Sequence, residues 1–263
     1  MKLAISLFLF QADPAKAVDA LAQGVDAVIF DFEQRGKRER QRTFDTSISV
    51  ASIDALPAFV ADSRISPICR LDPWGETSPR QIDVAIEAGV SALILPMAKT
   101  LEEVDAFTAA IGGRTKAGLM VETPEMLLLH PHLAHRELNL VYVGLHDLAI
   151  ARNDRNLFAP LSDGTVEWVR EALPNVSLGV AGATDPRFGA PIPFPLLAAE
   201  MSRLGIDFTF LRRSFITDVP SSNIRTAVES IRALWRALAQ RSAHAVLMDR
   251  LRFSEAVAAA IEE

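Results

Sequence analysis

The sequence has a single cysteine, Cys69, so no disulfide can form within the chain, which fits a reducing compartment. No apolar run approaches the roughly 20 residues that a membrane-spanning helix needs. Basic residues are also in deficit, because the formal net charge is -6, and non-specific nucleic-acid binding needs a basic surface. We therefore expect neither a membrane nor a nucleic acid as a partner.

The composition is that of a folded globular protein, with 49% hydrophobic and 23% charged residues in a chain of 263. The apolar segment 3–10 could pass for a signal peptide. It is short, however, only one positive charge precedes it, and the strand count given below needs it. We therefore expect a cytoplasmic protein.

Strand-like and helix-like segments alternate along the chain. Short apolar runs predict strands at 3–9, 25–30, 67–71, 92–96, 117–122, 140–143, 176–180 and 207–211. Strands that are apolar along their whole length are typical of a parallel sheet covered on both faces. Eight such repeats predict an α/β fold, a (β/α)8 TIM barrel. A doubly wound sheet is the weaker alternative, because the glycine-rich phosphate fingerprint is missing after the first strand.

Two neighbouring strands of this barrel each lead to an acid. The fifth ends on Glu122, and the sixth runs through Gly144 to Asp147. The carboxyl ends of barrel strands carry the active site, and carboxylates suit Mg²⁺ or Mn²⁺. We therefore predict that Glu122 and Asp147 bind a divalent metal ion. The alternative is that both residues only cap the helices that follow them.

Further charged residues follow other strands and so lie on the same face. Asp31 and Glu33 come after the second strand, Arg70 ends the third, and Arg212 and Arg213 follow the eighth. An arginine fork that faces a divalent cation suits a 2-oxo acid or another carboxylate. The alternative for Arg70 is an ion pair with Glu33 or Asp31 that only holds strands together.

Five motifs occur in order along most of the chain: Asp31-Phe32-Glu33, Ile68-Cys69-Arg70, Leu95-Pro96-Met97, Val121-Glu122-Thr123 and Val143-Gly144-Leu145-His146-Asp147-Leu148. Together they resemble the HpcH/HpaI aldolase and citrate lyase β-subunit family. The resemblance implies a barrel of the phosphoenolpyruvate/pyruvate superfamily that binds Mg²⁺, or else Mn²⁺ or Co²⁺. It also implies a metal-dependent carbon–carbon lyase or aldolase that acts on a small 2-oxo acid or an acyl-CoA thioester.

The resemblance assigns a role to each matching position. Glu122 and Asp147 would be the metal ligands. Arg70 would hold the oxo or enolate oxygen, and Glu33 would lie beside metal-bound water. The substrate carboxylate would be bound by the backbone amides of the segment Gly144, Leu145, His146 and Asp147.

The chain departs from the family at two positions that matter for proton transfer. Gln34 stands where the aldolases have a histidine that acts as a base, and Met120 stands where they tend to have a glutamine. Neither side chain accepts a proton. Either a metal-bound water, Glu33 or His146 is the base, or the chemistry is altered or lost. In the latter case the barrel would bind a carboxylate or phosphate ligand without aldol turnover.

Two clusters invite further hypotheses. The loop after the second strand is basic, and Arg38 and Arg40 within it are candidates to bind a phosphate of the substrate or of coenzyme A. The alternative is a solvated loop that pairs with Glu39 or with another subunit. His130, His132 and His135 resemble a metal cluster, but they precede the sixth strand on the opposite face, so we predict a surface turn.

A further helix is predicted after the barrel is complete. Apolar residues recur at helical spacing in 243–263, so we divide the chain into a barrel, 1–241, and a helical extension, 242–263. The apolar stripe must be buried, either across the end of the barrel or against a neighbouring subunit. We expect a homo-oligomer, a trimer or hexamer.

Overall fold

The computed structural model describes residues 4–33, 52–62, 64–154 and 156–260. They form a closed barrel of parallel strands in which each strand pairs with the next and β8 pairs with β1. The strands are β1 (Ser6–Phe10), β2 (Ala27–Asp31), β3 (Ile68–Arg70), β4 (Ala92–Leu95), β5 (Lys116–Val121), β6 (Leu140–Val143), β7 (Ser177–Ala183) and β8 (Phe208–Leu211). The predicted (β/α)8 barrel is confirmed, and the segment that could pass for a signal peptide contains β1.

Helices surround the barrel. They are α1 (Pro14–Ala22), α2 (Leu56–Phe59), α3 (Ser78–Glu87), α4 (Leu101–Ile111), α5 (Pro124–Leu129), α6 (Leu145–Arg152), α7 (Ala159–Ser162), α8 (Thr165–Ala172), α9 (Phe194–Arg203), α10 (Phe215–Asp218), α11 (Ile224–Ala239) and α12 (Ala243–Ala259). Short 3-10 helices occupy Ile53–Ala55, His130–His135 and Ser221–Asn223. No helix in the described ranges is long and apolar enough to cross a membrane.

The interior of the barrel is apolar and contains several aromatic rings. Side chains alternate between the two faces of each strand, and the inward set is Phe8, Ile29, Ile68, Ala92, Ile94, Met120, Tyr142, Phe208 and Phe210. Tyr142 stacks on Phe210 with ring centroids 4.1 Å apart. By the same alternation, Arg70 follows Ile68 and Glu122 follows Met120. The polar residues therefore form the layer above this apolar floor.

The helical extension docks on its own chain. Helix α12 packs against α9 and α7, and its Phe253 and Val257 are buried there. The amide nitrogen of the Asn156 side chain donates to the Val257 carbonyl at 2.6 Å. Leu247 and Leu251 are exposed on α12. The predicted domain boundary and the predicted oligomer stay predictions.

Candidate active site

The charged residues predicted for the site gather where β2, β3, β5 and β6 end. Arg70 is the central cation, and its side chain is only 11% exposed. Its Nε donates to Oδ1 of Asp31 at 2.9 Å and its Nη2 donates to Oδ2 at 2.7 Å, so the two side chains form a bidentate pair between neighbouring strands. The ion pair considered as the alternative role of Arg70 is therefore present.

Other groups complete the surroundings of Arg70. Its Nη1 lies 3.2 Å from Oε2 of Glu33, and the guanidinium carbon lies 5.1 Å from the centre of the Phe10 ring. Burial acts to lower the pKa of Arg70, but Asp31 and Glu33 outweigh it and the pKa is raised. Arg70 is therefore a permanent charge at the edge of the apolar interior. The role that the resemblance gives it towards a substrate stays a prediction.

Glu122 is the most perturbed acid of the site. It is 2% exposed, and its Oε1 accepts a hydrogen bond from the Met97 amide at 2.9 Å. Its Oε2 is buried and has no hydrogen-bond partner within the described part of the chain. Burial raises the pKa of Glu122 to about 8, with further contributions from Asp147 and Glu33 and opposition from Arg70. The carboxylate form of Glu122 therefore lacks a cation close to Oε2.

Neither Glu122 nor Asp147 is a helix cap. Thr123 caps α5, because its side chain accepts from the amide of Met126 at 3.1 Å. Gly144 is the N-cap of α6, and Asp147 lies in the first turn of that helix. The capping alternative is therefore wrong for both acids.

The two acids fit a divalent cation. Both line one pocket of about 260 Å³, together with Lys99 and Pro124, and Oδ1 of Asp147 is shielded from solvent. Within the described ranges, no three His, Cys, Asp or Glu side chains are grouped so that they would enclose a metal by themselves. Mg²⁺ is usually held by one or two carboxylates, with water and substrate as its other ligands. A pair of acids with one orphaned buried oxygen matches that requirement.

The segment predicted to bind the substrate carboxylate begins α6. The Gly144 amide donates to the Val121 carbonyl at 3.0 Å, so it belongs to the strand pairing. The amides of Leu145 and His146 lie in the first turn of the helix, where amide protons lack carbonyl partners within the helix. Binding of an anion by these amides stays a prediction, with Gly144 as the residue least suited to it.

His146 is half-buried beside the predicted metal ligand. Burial lowers the pKa of His146, Asp147 acts in the opposite direction, and Arg213 lowers the pKa further. The imidazole is therefore predominantly neutral near pH 7, the form that can accept a proton. Its role as a base stays a prediction, as does that of Glu33.

Two contributors to the site were not assigned a role from the sequence. Met97 has a positive φ of 55°, and its backbone amide orients Glu122. Tyr142 lies in the inward layer below the acids, and its pKa is raised by burial and by Glu122. The third of the five motifs contains Met97, and Tyr142 precedes Gly144 by one strand repeat. Both residues thus lie in or next to the quoted motifs. The motifs do not indicate, however, that the Met97 amide binds Glu122 or that the Tyr142 phenol is buried below the acids.

Other predicted residues are elsewhere or lie outside the described residues. Gln34, Arg38 and Arg40 belong to the latter group. His132 and His135 are exposed, as predicted for a surface turn, whereas His130 is fully buried and its ring meets Trp168 edge-on at 4.2 Å. The surface-turn prediction is wrong for His130, because its Nδ1 bonds to the Leu127 carbonyl at 2.6 Å and its ring packs under α8.

Neither a family model nor a curated protein sequence matches the chain. Solved structures with the same fold do. CitE from Mycobacterium tuberculosis, in complex with magnesium and pyruvate, has a TM-score of 0.63 and 16% identity over 96% of this chain and 98% of that one. An HpcH/HpaI aldolase from Desulfitobacterium hafniense has a TM-score of 0.56 and 14% identity over 85% and 92%.

The resemblance drawn from the motifs is thus confirmed at the level of the fold, because a structure named as a citrate lyase and one named as an HpcH/HpaI aldolase are both among the similar structures. Tryptophan synthase from Mycobacterium tuberculosis is similar too, with a TM-score of 0.60 and 13% identity over 88% of this chain and 93% of that one. Likeness at such identities shows the fold alone. The function has to be argued from the site.

Proposed function

We propose that the protein is a divalent-metal-dependent carbon–carbon lyase or aldolase that acts on a small 2-oxo or hydroxy acid or an acyl-CoA thioester. The observation that carries this proposal is Oε2 of Glu122, which is buried without a hydrogen-bond partner in the described part of the chain and belongs to a pocket that Asp147 also lines. Glu122 and Asp147 would hold Mg²⁺, Mn²⁺ or Co²⁺. The presence of magnesium and pyruvate in the complex of CitE supports this choice.

Arg70 is suited to stabilise the charge that develops in such a reaction. When the carbon–carbon bond next to the hydroxyl-bearing carbon breaks, its electron pair passes to the oxo oxygen and gives an enolate. A bound divalent ion would act as a Lewis acid towards that oxygen. Arg70 is held rigidly by Asp31, so its guanidinium can donate to the oxygen without first being ordered.

The reaction also requires a group that takes the proton of the substrate hydroxyl. Glu33 is 4% exposed and lies 3.2 Å from Arg70, which holds it at the site. His146 directly precedes Asp147 in the chain, and burial lowers its pKa. We assign the base to Glu33 first and to His146 second, because Gln34 and Met120 accept no proton.

One observation favours a second candidate function. The inward position next to Arg70 is occupied by Met120, whose Sδ lies 3.9 Å from Nη1 of Arg70. A thioether has no role in proton transfer. Met120 replaces the usual glutamine of the family, and Gln34 replaces its histidine. Both replacements together are what we expect of a barrel that binds a carboxylate or phosphate ligand without turnover.

A cleavage screen separates the two functions. Wild-type protein and Glu122→Gln are incubated with a panel of 4-hydroxy-2-oxo acids, with Mg²⁺ or with EDTA, and the release of pyruvate is measured. Lyase activity predicts pyruvate release by the wild type with Mg²⁺ only, and none by the variant. Binding of pyruvate by calorimetry without cleavage of any member of the panel would favour the ligand-binding barrel instead.

A further inference from the structure

Thr123 directly follows the predicted metal ligand Glu122 and joins two segments of the chain. Its hydroxyl donates to the Ala98 carbonyl at 2.7 Å and accepts from the Met126 amide at 3.1 Å. The second of these bonds caps helix α5, whereas the first reaches the loop that follows β4. Thr123 is 2% exposed and Ala98 is 1% exposed, so bulk water does not compete for their hydrogen bond.

The loop after β4 holds an unusual backbone conformation at Met97. Its φ of 55° lies in the left-handed region, which residues other than glycine rarely adopt. The Met97 amide donates to Oε1 of Glu122 at 2.9 Å, and the two residues that follow them in the chain are joined by the next hydrogen bond. A residue in such a conformation persists only where its surroundings hold it, and the bond between Ala98 and Thr123 is adjacent to it.

The Glu122 carboxylate depends on this loop for its orientation. Within the described ranges, the Met97 amide is its one hydrogen-bond donor, since Oε2 has no partner there. Few backbone torsions separate the Met97 amide from the Ala98 carbonyl. The hydrogen bond that fixes the carbonyl therefore also restricts the direction of the amide.

We propose, resting on the proposed function, that Thr123 is a positioning residue for metal binding. Its hydroxyl anchors the loop after β4, and the anchored loop keeps the Met97 amide directed at Glu122. The amide in turn orients the carboxylate that binds the cation. Groups that support a metal ligand in this way control metal affinity without touching the metal.

The test is Mg²⁺ affinity, measured by calorimetry on the metal-free full chain. Thr123→Val keeps the branched shape of the side chain and removes the hydroxyl, so it should weaken Mg²⁺ binding by roughly 10-fold, the lower end of the range for groups that support a metal ligand. Thr123→Ser retains the hydroxyl and should bind Mg²⁺ as wild type does. Thr123→Ala removes the same hydroxyl with a smaller side chain, and it should show the same loss if the valine variant does not fold.

Thr123→Val also loses a helix cap, and Ser242→Ala is the control for that loss. The Ser242 hydroxyl accepts from the Ala245 amide at 3.2 Å at the start of α12, on a helix that carries no predicted metal ligand. Ser242→Ala should lower the melting temperature and leave Mg²⁺ affinity unchanged.

A wild-type Mg²⁺ affinity in Thr123→Val would overturn the positioning role and limit Thr123 to its cap on α5, while the proposed function would stand. If wild type bound none of Mg²⁺, Mn²⁺ and Co²⁺, the proposed function would be overturned and the role of Thr123 with it.

Discussion

Gly144 touches Glu122 so closely that no other residue fits its position. A β-carbon at Gly144 would lie 2.5 Å from both Cβ and Oε2 of Glu122. Real carbon atoms do not approach that closely, so the side chain of Glu122 would have to leave its place. Gly144, at the end of the sixth strand, thereby fixes the position of the Glu122 carboxylate, at the end of the fifth.

Replacement of this glycine should damage metal binding more than the fold. In Gly144→Ala, the displaced Glu122 carboxylate should lower Mg²⁺ affinity by roughly 10- to 100-fold, the range seen when the support of a metal ligand is removed. Calorimetric titration of Mg²⁺ measures this. Gly89→Ala is a control for backbone strain alone. Nothing lies within 4 Å of the β-carbon that it adds, but the φ of +86° disfavours a side chain, so this variant should lose stability and keep its Mg²⁺ affinity. An unchanged Mg²⁺ affinity in Gly144→Ala would show that the close contact with Gly144 does not position Glu122 for the metal.

The raised pKa of Glu122 predicts how the stability of metal-free protein depends on pH. Between its usual pKa of 4.5 and about 8, the folded chain retains a proton that the unfolded chain has lost. The stability that the raised pKa of Glu122 contributes to the folded protein is therefore fully present below pH 4.5. It is lost as the pH rises through about 8. In EDTA, the melting temperature of wild type should fall with rising pH relative to that of Glu122→Gln.

Saturating Mg²⁺ should remove much of this fall, because the cation favours the charged carboxylate. Thermal unfolding from about pH 5 to pH 9, with EDTA and with Mg²⁺, tests both statements. Parallel curves for wild type and Glu122→Gln in EDTA would show that Glu122 does not titrate in this range.

Arg70→Lys keeps the positive charge but loses the planar fork. If Arg70 donates to the enolate oxygen, the change should raise the activation barrier by about 2–4 kcal/mol, as the loss of an oxyanion donor does. Mg²⁺ affinity should change little, since Glu122 and Asp147 are untouched. Steady-state kinetics and calorimetry on the same preparation separate the two effects. Unchanged turnover would show that the role of Arg70 is limited to its structural ion pair with Asp31.

Asp31→Asn should destabilise the fold itself. It breaks the buried bidentate pair and leaves Arg70 with Glu33 alone, and the loss of one partner of a buried pair reduces the free energy of unfolding by about 3–5 kcal/mol. Denaturant unfolding measures this. Asp62→Asn is the matched control, because Asp62 forms the same bidentate pair with Arg64 on the surface, where such pairs contribute little. Equal losses in the two variants would contradict the argument.

The basic loop offers a choice between substrate classes. If Arg38 and Arg40 bind a phosphate of the substrate or of coenzyme A, the double change to glutamine should raise KM in a salt-sensitive way while kcat stays near wild type. If the loop pairs with another subunit, KM should stay constant and light scattering should show a changed mass. No change in either quantity would indicate a solvated loop.

The sequence by itself determined the barrel and the side of it on which the chemistry lies. Short apolar runs followed by helical segments permit few folds, and the carboxyl ends of parallel strands must share one face. Residues at strand ends, such as Glu122 and Arg70, were therefore predictable as neighbours. The start of helix α6 at Leu145 was not predicted, because the helix has no side-chain cap and its first residues resemble the end of a strand motif.

Only the tertiary structure decided which hydrogen-bond and ion-pair partners each polar group of the site has. Whether Glu122 has a partner for Oε2, and whether Arg70 is held by Asp31 or by Glu33, depends on distances between strands that are far apart in the chain. The burial of His130 under α8 is of the same kind. Local patterns place a residue on a face, but the atoms that meet it come from other strands, and their spacing is set by how the whole barrel closes.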